Sequence, residues 1–196
     1  MSSLRIIGGK WRGRKISFYD KANVRPSPSR VRETIFNWLQ SEIRGARCLE
    51  LYAGSGILSA EALSRGADQV TLVEKSKLIY QYLTSTFSAL PCSNYELISD
   101  TAAKFLKQDH AVYDIIFIDP PFNSGELKKI LAQLLNLGVI HMRSIIYVEN
   151  NKPLELPKFL FIHRQGRAGR VYYYLLKTQT PSLSSESDSP LDFCKQ

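Results

Sequence analysis

Four consecutive residues, Asp119-Pro120-Pro121-Phe122, close the apolar run Ile115-Ile116-Phe117-Ile118. They bring a carboxylate, a rigid turn and an aromatic ring to one place. That combination suits chemistry on an exocyclic amine of a nucleobase. Such an amine is a poor nucleophile, because its lone pair is delocalised into the ring. The Asp119 carboxylate and the Pro120 carbonyl can each accept one of its N–H groups. Held in this way, the lone pair is localised and aimed at an electrophilic methyl, through orientation and electrostatics rather than full deprotonation. Pro120 and Pro121 lack N–H groups and fix φ, so the carbonyls of the turn keep one direction. Phe122 can stack on the planar base, a contact worth about 1–3 kcal/mol. A base inside a helix would first have to be flipped out. Asp-Pro-Pro alone could be a strand terminator with Phe122 in the core; what lies upstream favours the chemical account.

Upstream, the stretch "LELYAGSGILS" sets a glycine-rich turn between an apolar run and a helical pattern. Gly54 and Gly56 let the backbone approach a ligand, and the helix N-terminus offers N–H donors and a partial positive charge. Gly54-x-Gly56-x-x-Ser59 is a partial dinucleotide fingerprint, with serine at the third glycine position. Glu74 ends the next apolar run, 20 residues after Gly54, where an acid can bind a ribose diol. These residues call for an adenosine-containing cofactor and do not by themselves separate NAD from S-adenosylmethionine. Glu50 tilts the choice toward S-adenosylmethionine, since an acid repels a pyrophosphate but favours an ammonium or sulfonium.

The elements that must position these groups alternate. "RCLELY", "QVTLVE", "YELIS", "YDIIFID" and "SIIYVEN" read as strands, and all but the last are followed by a helical stretch. Regular βα alternation predicts a parallel sheet covered by helices. "KFLFIHRQGRAGRVYYYLLKT" reads as two antiparallel strands turning near Gly166 and Gly169, which makes the sheet mixed. In the N-terminal part, Leu4 to Ile7 and Lys15 to Phe18 predict a β-hairpin. Ser27 with Pro28 behind it suits the start of a helix whose apolar face is Val31, Ile35, Trp38 and Leu39. The segments predicted are a basic extension over 1–45, an α/β domain over 46–177, and a Ser/Pro-rich tail over 178–196 expected to be disordered.

The formal charge of +8 sits entirely in one place. Residues 1–47 hold 11 Lys/Arg and 3 Asp/Glu, and the remaining 149 residues hold 15 of each. The extension is therefore expected to contact a polyanion, through Lys10, Arg12, Arg14, Lys15, Arg25, Arg30 and Arg32. The three cysteines are scattered, and no metal-ligand spacing is present, which points to a reducing compartment and no structural metal. No apolar run is long enough to span a membrane. His110, His141 and His163 have no partner spaced for catalysis. Arg164, Arg167 and Arg170 read as a solvated turn, and Tyr172-Tyr173-Tyr174 as strand alternation.

Taken together, "LRIIGGKWRGRKI … RPSPSRVRETIFNWL … CLELYAGSGILSAEALSRGA … VEKS … FIDPPF" resembles the bacterial RsmD family, which methylates guanine N2 in 16S ribosomal RNA. The resemblance runs to about Lys177. It implies a Rossmann-like class I methyltransferase with a seven-stranded mixed sheet, S-adenosylmethionine as cofactor, and small-subunit 16S ribosomal RNA as partner. A cytoplasmic location and a monomer are expected. Glu50, Tyr52, Gly54 and Gly56, with Ala53 of the same turn, would line the methionine moiety, Glu74 the ribose, and Asp100 the adenine. The hairpin and the RPSPSRVRE loop would lie beside the active site. One departure is Ser29, where the family often has an acid before RVRE. An adenine-N6 DNA methyltransferase shares the Asp-Pro-Pro-Phe logic but normally carries a separate target-recognition region. An inactive RNA-binding assembly factor is the other alternative, against which an intact Asp-Pro-Pro-Phe and Glu74 argue.

Overall fold

The computed structural model describes residues 2–20, 26–108, 111–121 and 125–179. The N-terminal segment forms the expected hairpin, with its first strand two residues earlier than Leu4 to Ile7: β1 (Ser2–Arg5) and β2 (Lys15–Phe18) pair antiparallel, with Ile16 and Phe18 buried and Lys15 and Ser17 exposed. A 3-10 turn at Gly9–Trp11 buries Trp11. The first helix, α1 (Ser29–Trp38), buries Val31, Ile35 and Phe36, and Leu39 follows at its end. Ser27 does not cap it. Pro28 holds that position, and the Ser27 hydroxyl is spent elsewhere.

Alternation follows through β3 (Arg47–Leu51), α2 (Ile57–Ser64), β4 (Gln69–Val73), α3 (Lys77–Ser88), β5 (Tyr95–Ile98), α4 (Ala102–Gln108), β6 (Tyr113–Ile118), α5 (Glu126–Asn136) and β7 (Ile140–Asn150). β7 starts four residues before the expected "SIIYVEN" because Ile140 and Tyr113 still pair across a register shift. β8 (Leu160–Ala168) and β9 (Val171–Thr178) form the terminal antiparallel hairpin. The seven strands run in the order β5-β4-β3-β6-β7-β9-β8. β3 to β7 are parallel, and β9 is antiparallel to β7. Strand order reverses between β3 and β6, so the crevice for a ligand opens where these two end. Among the described residues no helix is long and apolar enough to cross a membrane.

Side-chain parity sorts the core into two layers. Leu49, Ile116, Ile118, Ile146 and Val148 pack against α4 and α5. Cys48, Ile115, Phe117, Ile145 and Tyr147 pack on the other face, with α1, α2, α3 and the N-terminal Ile6, Trp11 and Ile16. The basic segment thus shares a core with the sheet.

Arg32 corrects the sequence reading. It does not face a nucleic acid but is among the largest fully buried side chains, 1% exposed. Its Nη1 donates to Glu61 of α2 at 2.7 Å and to the Arg5 carbonyl at 2.9 Å, and its Nε donates to the Ser27 carbonyl at 3.2 Å. Helical spacing placed it off the apolar stripe, yet the extension folds over both sides of α1. Glu61 also accepts from the Ile7 amide at 2.8 Å. Burial lowers the Arg32 pKa and raises that of Glu61, and each group opposes the shift of the other. Removing one partner leaves a buried charge uncompensated, so Glu61→Ala is expected to lose about 3–5 kcal/mol of unfolding free energy. Arg32→Met with Glu61→Leu should lose less than the two single changes summed. Urea midpoints of wild type, the three single variants and the double variant check this.

Candidate active site

A cavity of about 910 Å³ opens at the C-terminal ends of β3, β4 and β6. Among the residues that line it are the carboxylates Glu50, Glu74, Asp100, Asp119 and Glu149. Four of them lie at the ends of strands: Glu74 follows β4, Asp119 follows β6, and Glu50 and Glu149 are the penultimate residues of β3 and β7.

Glu50 is 4% exposed and accepts from the Ser59 amide at 3.0 Å and from the Ser59 hydroxyl. This explains why serine stands at the third position of the glycine fingerprint. It fixes the carboxylate rather than packing helix on strand. Burial pushes the Glu50 carboxyl up to about 8, the Ser59 bonds and then the nearby Glu74 modifying that shift. Gly56 caps α2 with φ 67°, and a Cβ there would meet Phe87 at 2.7 Å and Leu83 at 2.8 Å. Glycine is therefore required by both conformation and space. Glu74 accepts from the Gly54 amide at 3.0 Å and from the Ser76 amide at 2.8 Å. These two bonds tie the turn after β3 to the end of β4. Tyr52 has φ 64° and is the one non-glycine residue with positive φ among those described. Its hydroxyl pairs with Glu126 at the start of α5, and burial, then Glu126, raises its pKa. Ala53 is buried in the same turn and lines the cavity. Asp100 accepts from the Thr101 amide at 2.8 Å and pairs with Lys104 at 3.1 Å, contacts that lower its pKa.

Asp119 follows β6, one register step beyond the Ile118–Val148 pair. That places it beside Glu149 and on the same face as Phe117 and Glu50. Burial, then Glu149 and Glu50, raises its pKa well above the usual carboxylate range. Pro120 is buried, and Pro120 and Pro121 line the cavity. Phe122 and Arg25 lie outside the described residues. Lys10, Arg12, Arg14, Lys15 and Arg30 are exposed. Arg14 also donates to the Ala89 carbonyl at 3.1 Å, and Lys10 lies over the Trp11 ring at 4.7 Å.

Sequence reasoning missed Glu149, Ser27 and Tyr147. Glu149 is 4% exposed, and its Oε1 accepts from the Ser27 hydroxyl and from the Tyr147 hydroxyl at 2.7 Å. Burial raises its pKa, and the two hydroxyls oppose the rise. The signal was available: "SIIYVEN" closes an apolar run with an acid, as "TLVE" and "IFID" do.

These carboxylates form no salt bridge with Lys or Arg among the described residues, apart from Asp100 with Lys104. No described group of three or more His, Cys, Asp or Glu is arranged to hold a metal ion. A buried, unpaired acidic crevice beside a positive-φ glycine turn fits a ligand that brings cations and an adenosine diol. It disfavours a pyrophosphate. Fold and site together define the class: a Rossmann-like class I methyltransferase architecture. The chain belongs to the RsmD family, whose family model, described as Conserved hypothetical protein 95, matches residues 4–177. It is 39% identical over 189 residues to "Ribosomal RNA small subunit methyltransferase D" of Escherichia coli, covering 95% of this chain and 94% of that protein. The Haemophilus influenzae protein of the same name is 37% identical over 178 residues, covering 88% and 92%. A solved Escherichia coli structure superposes with a TM-score of 0.84 at 39% identity, covering 91% of this chain and 99% of that one.

Glu50 generates a pH prediction. Its folded pKa lies near 8 against an ordinary 4.5. Between these values the folded protein holds a proton that the unfolded chain releases. Stability from this group is therefore present at low pH and is lost as pH rises through about 8. Thermal unfolding of ligand-free wild type and Glu50→Gln from pH 5 to 8.5 should show the variant gaining with pH, by at least about 1 kcal/mol or roughly 3 °C in Tm. An offset that stays constant with pH contradicts the assignment.

Proposed function

We propose that the protein methylates the exocyclic N2 amine of a guanine in small-subunit ribosomal RNA, using S-adenosylmethionine. The observation that carries this reading is Asp119, whose carboxyl lines the same cavity as Glu50 and Glu74. Family membership supports the methyl-transfer chemistry, and the names of the Escherichia coli and Haemophilus influenzae relatives support the RNA.

S-adenosylmethionine, when bound, supplies an electrophilic methyl on a sulfonium. Glu50, held by Ser59, faces its cationic methionine end together with Tyr52, Ala53, Gly54 and Gly56. Glu74 takes the ribose hydroxyls, and Asp100 lies toward the adenine. Asp119 and the Pro120 carbonyl accept the two N–H groups of the target amine and aim its lone pair. The buried Pro120 and its rigid neighbour keep that carbonyl in one direction. Phe122 covers the flipped base. Asp119 is also the acceptor positioned for the proton that the amine loses once it carries the methyl group.

The N-terminal segment, residues 1–45, is the RNA-contacting part of the protein, with the methyltransferase domain over 46–177. Lys10, Arg12, Arg14, Lys15 and Arg30, together with Arg25, are its phosphate contacts. The substrate RNA lies in the small ribosomal subunit or an assembly intermediate. The protein works as a monomer in the cytoplasm.

Asp119→Ala should retain S-adenosylmethionine binding by calorimetry and lose at least about 100-fold in methyl transfer to unmodified ribosomal RNA. Unchanged transfer by that variant contradicts the mechanism. Mass spectrometry of the product nucleoside should give N2-methylguanosine, and N6-methyladenosine would transfer the site to the adenine reading. Arg12→Ala with Lys15→Ala should weaken RNA binding and flatten the slope of log K against log salt by about 1–2.

A further inference from the structure

The active-site acid motif accounts for one carboxylate at the amine, yet the structure sets a second beside it. Glu149 is the penultimate residue of β7 and Asp119 follows β6, and the register Ile118–Val148 makes the two neighbours on adjacent parallel strands. Such strands lie about 4.8 Å apart. Both side chains fall on the face of the sheet that carries Phe117 and Tyr147. Both line the cavity, as do Ser27 and Pro28 from the N-terminal segment.

Glu149 is built to accept hydrogen bonds. The hydroxyls of Ser27 and Tyr147 both donate to its Oε1, and among the described residues no hydrogen bond reaches Oε2. Ser27 is itself 5% exposed, and its carbonyl is held by buried Arg32 at 3.2 Å. The carboxylate is therefore fixed from two sides, and one oxygen remains for a ligand.

Nucleobase edges differ in what they offer two adjacent acceptors. Beside its exocyclic amine, guanine carries a second donor, the ring N1–H. Beside the amine of adenine or cytosine stands a ring nitrogen acceptor. A donor–donor edge satisfies two neighbouring carboxylates and relieves their repulsion, whereas a donor–acceptor edge leaves one of them against a lone pair.

We propose that Glu149 is the specificity-determining residue of this site, accepting the N1–H of the target guanine through Oε2 while Asp119 accepts from the adjacent N2 amine. Ser27 and Tyr147 are positioning residues that hold Glu149 as the acceptor. The inference rests on the guanine-N2 reading above and deepens it, because it names what rejects the other bases.

The test uses ribosomal RNA in which the mapped target guanine is replaced by 2,6-diaminopurine. That base keeps the 2-amine but presents an acceptor at N1. Wild-type protein is expected to favour guanine by roughly 10- to 100-fold in kcat/KM. Glu149→Gln offers an amide N–H to the diaminopurine N1, so its preference should shrink to within about 3-fold, with S-adenosylmethionine affinity by calorimetry unchanged. A merely structural Glu149 would slow both substrates equally and leave the ratio at its wild-type value, which overturns the proposal. Equal rates of wild type on the two bases overturn it as well, whether or not the variant folds. If wild type methylates the guanine RNA at a position other than N2, or not at all, the underlying function falls together with this inference.

Discussion

The Arg32 guanidinium ties together three parts of the chain that are far apart in sequence. It binds the Glu61 carboxylate on α2, the Arg5 carbonyl at the end of β1 and the Ser27 carbonyl in the loop before α1. Glu61 and Ser27 are buried, and their polar groups would be costly if left unpaired. One planar cation with several donors satisfies all three, which a lysine could not do with the same geometry. The consequence reaches the cavity. With its carbonyl anchored by Arg32, Ser27 presents its hydroxyl to Glu149, and the neighbouring prolines become part of the wall. The basic segment is thereby seated on the catalytic face of the sheet.

On that face the site is built from charge crowding rather than charge pairing. Parallel strands all end on the same side, so an acid at or just beyond the end of each apolar run gathers into one crevice. Burial raises the pKa values of Glu50, Asp119 and Glu149, and repulsion from neighbouring carboxylates adds to the rise at Glu50 and Asp119. The free protein bears this cost without a compensating lysine or arginine among the described residues. In the function proposed above, a cationic ligand and an N–H-rich base edge are the groups that would relieve it, and binding and selectivity would then draw on the same repulsion. The local donors temper it: Ser59 for Glu50, backbone amides for Glu74, Ser27 and Tyr147 for Glu149.

Much of the fold was legible because its signals are local. Five apolar runs separated by helical periodicity and a terminal Gly-punctuated hairpin led directly to the mixed seven-stranded sheet. Asp119, Glu50 and Glu74 were legible for a related reason: an acid placed after a buried run is costly and needs an explanation. Glu149 carried the same mark but lacked a recognised motif around it. Arg32 was misread because helical periodicity reports one face of α1, while the extension covers a second. Ser27 was misread because Ser-Pro before a helix is a common capping signature, and its buried partner lies 122 residues away.

By itself the sequence determined the alternation of strands and helices, the positions of the glycine turn and the Asp-Pro-Pro turn, and the confinement of the excess charge to the first quarter of the chain. These depend on neighbours within a few residues, where steric and hydrophobic preferences act directly. Only the tertiary structure decided which basic residues remain at the surface, why serine follows the glycine turn, and that a second carboxylate stands beside Asp119. Those outcomes depend on strand register and on side-chain parity between segments far apart in the chain. Register is set by the packing of whole faces against each other, and no local window of residues contains it.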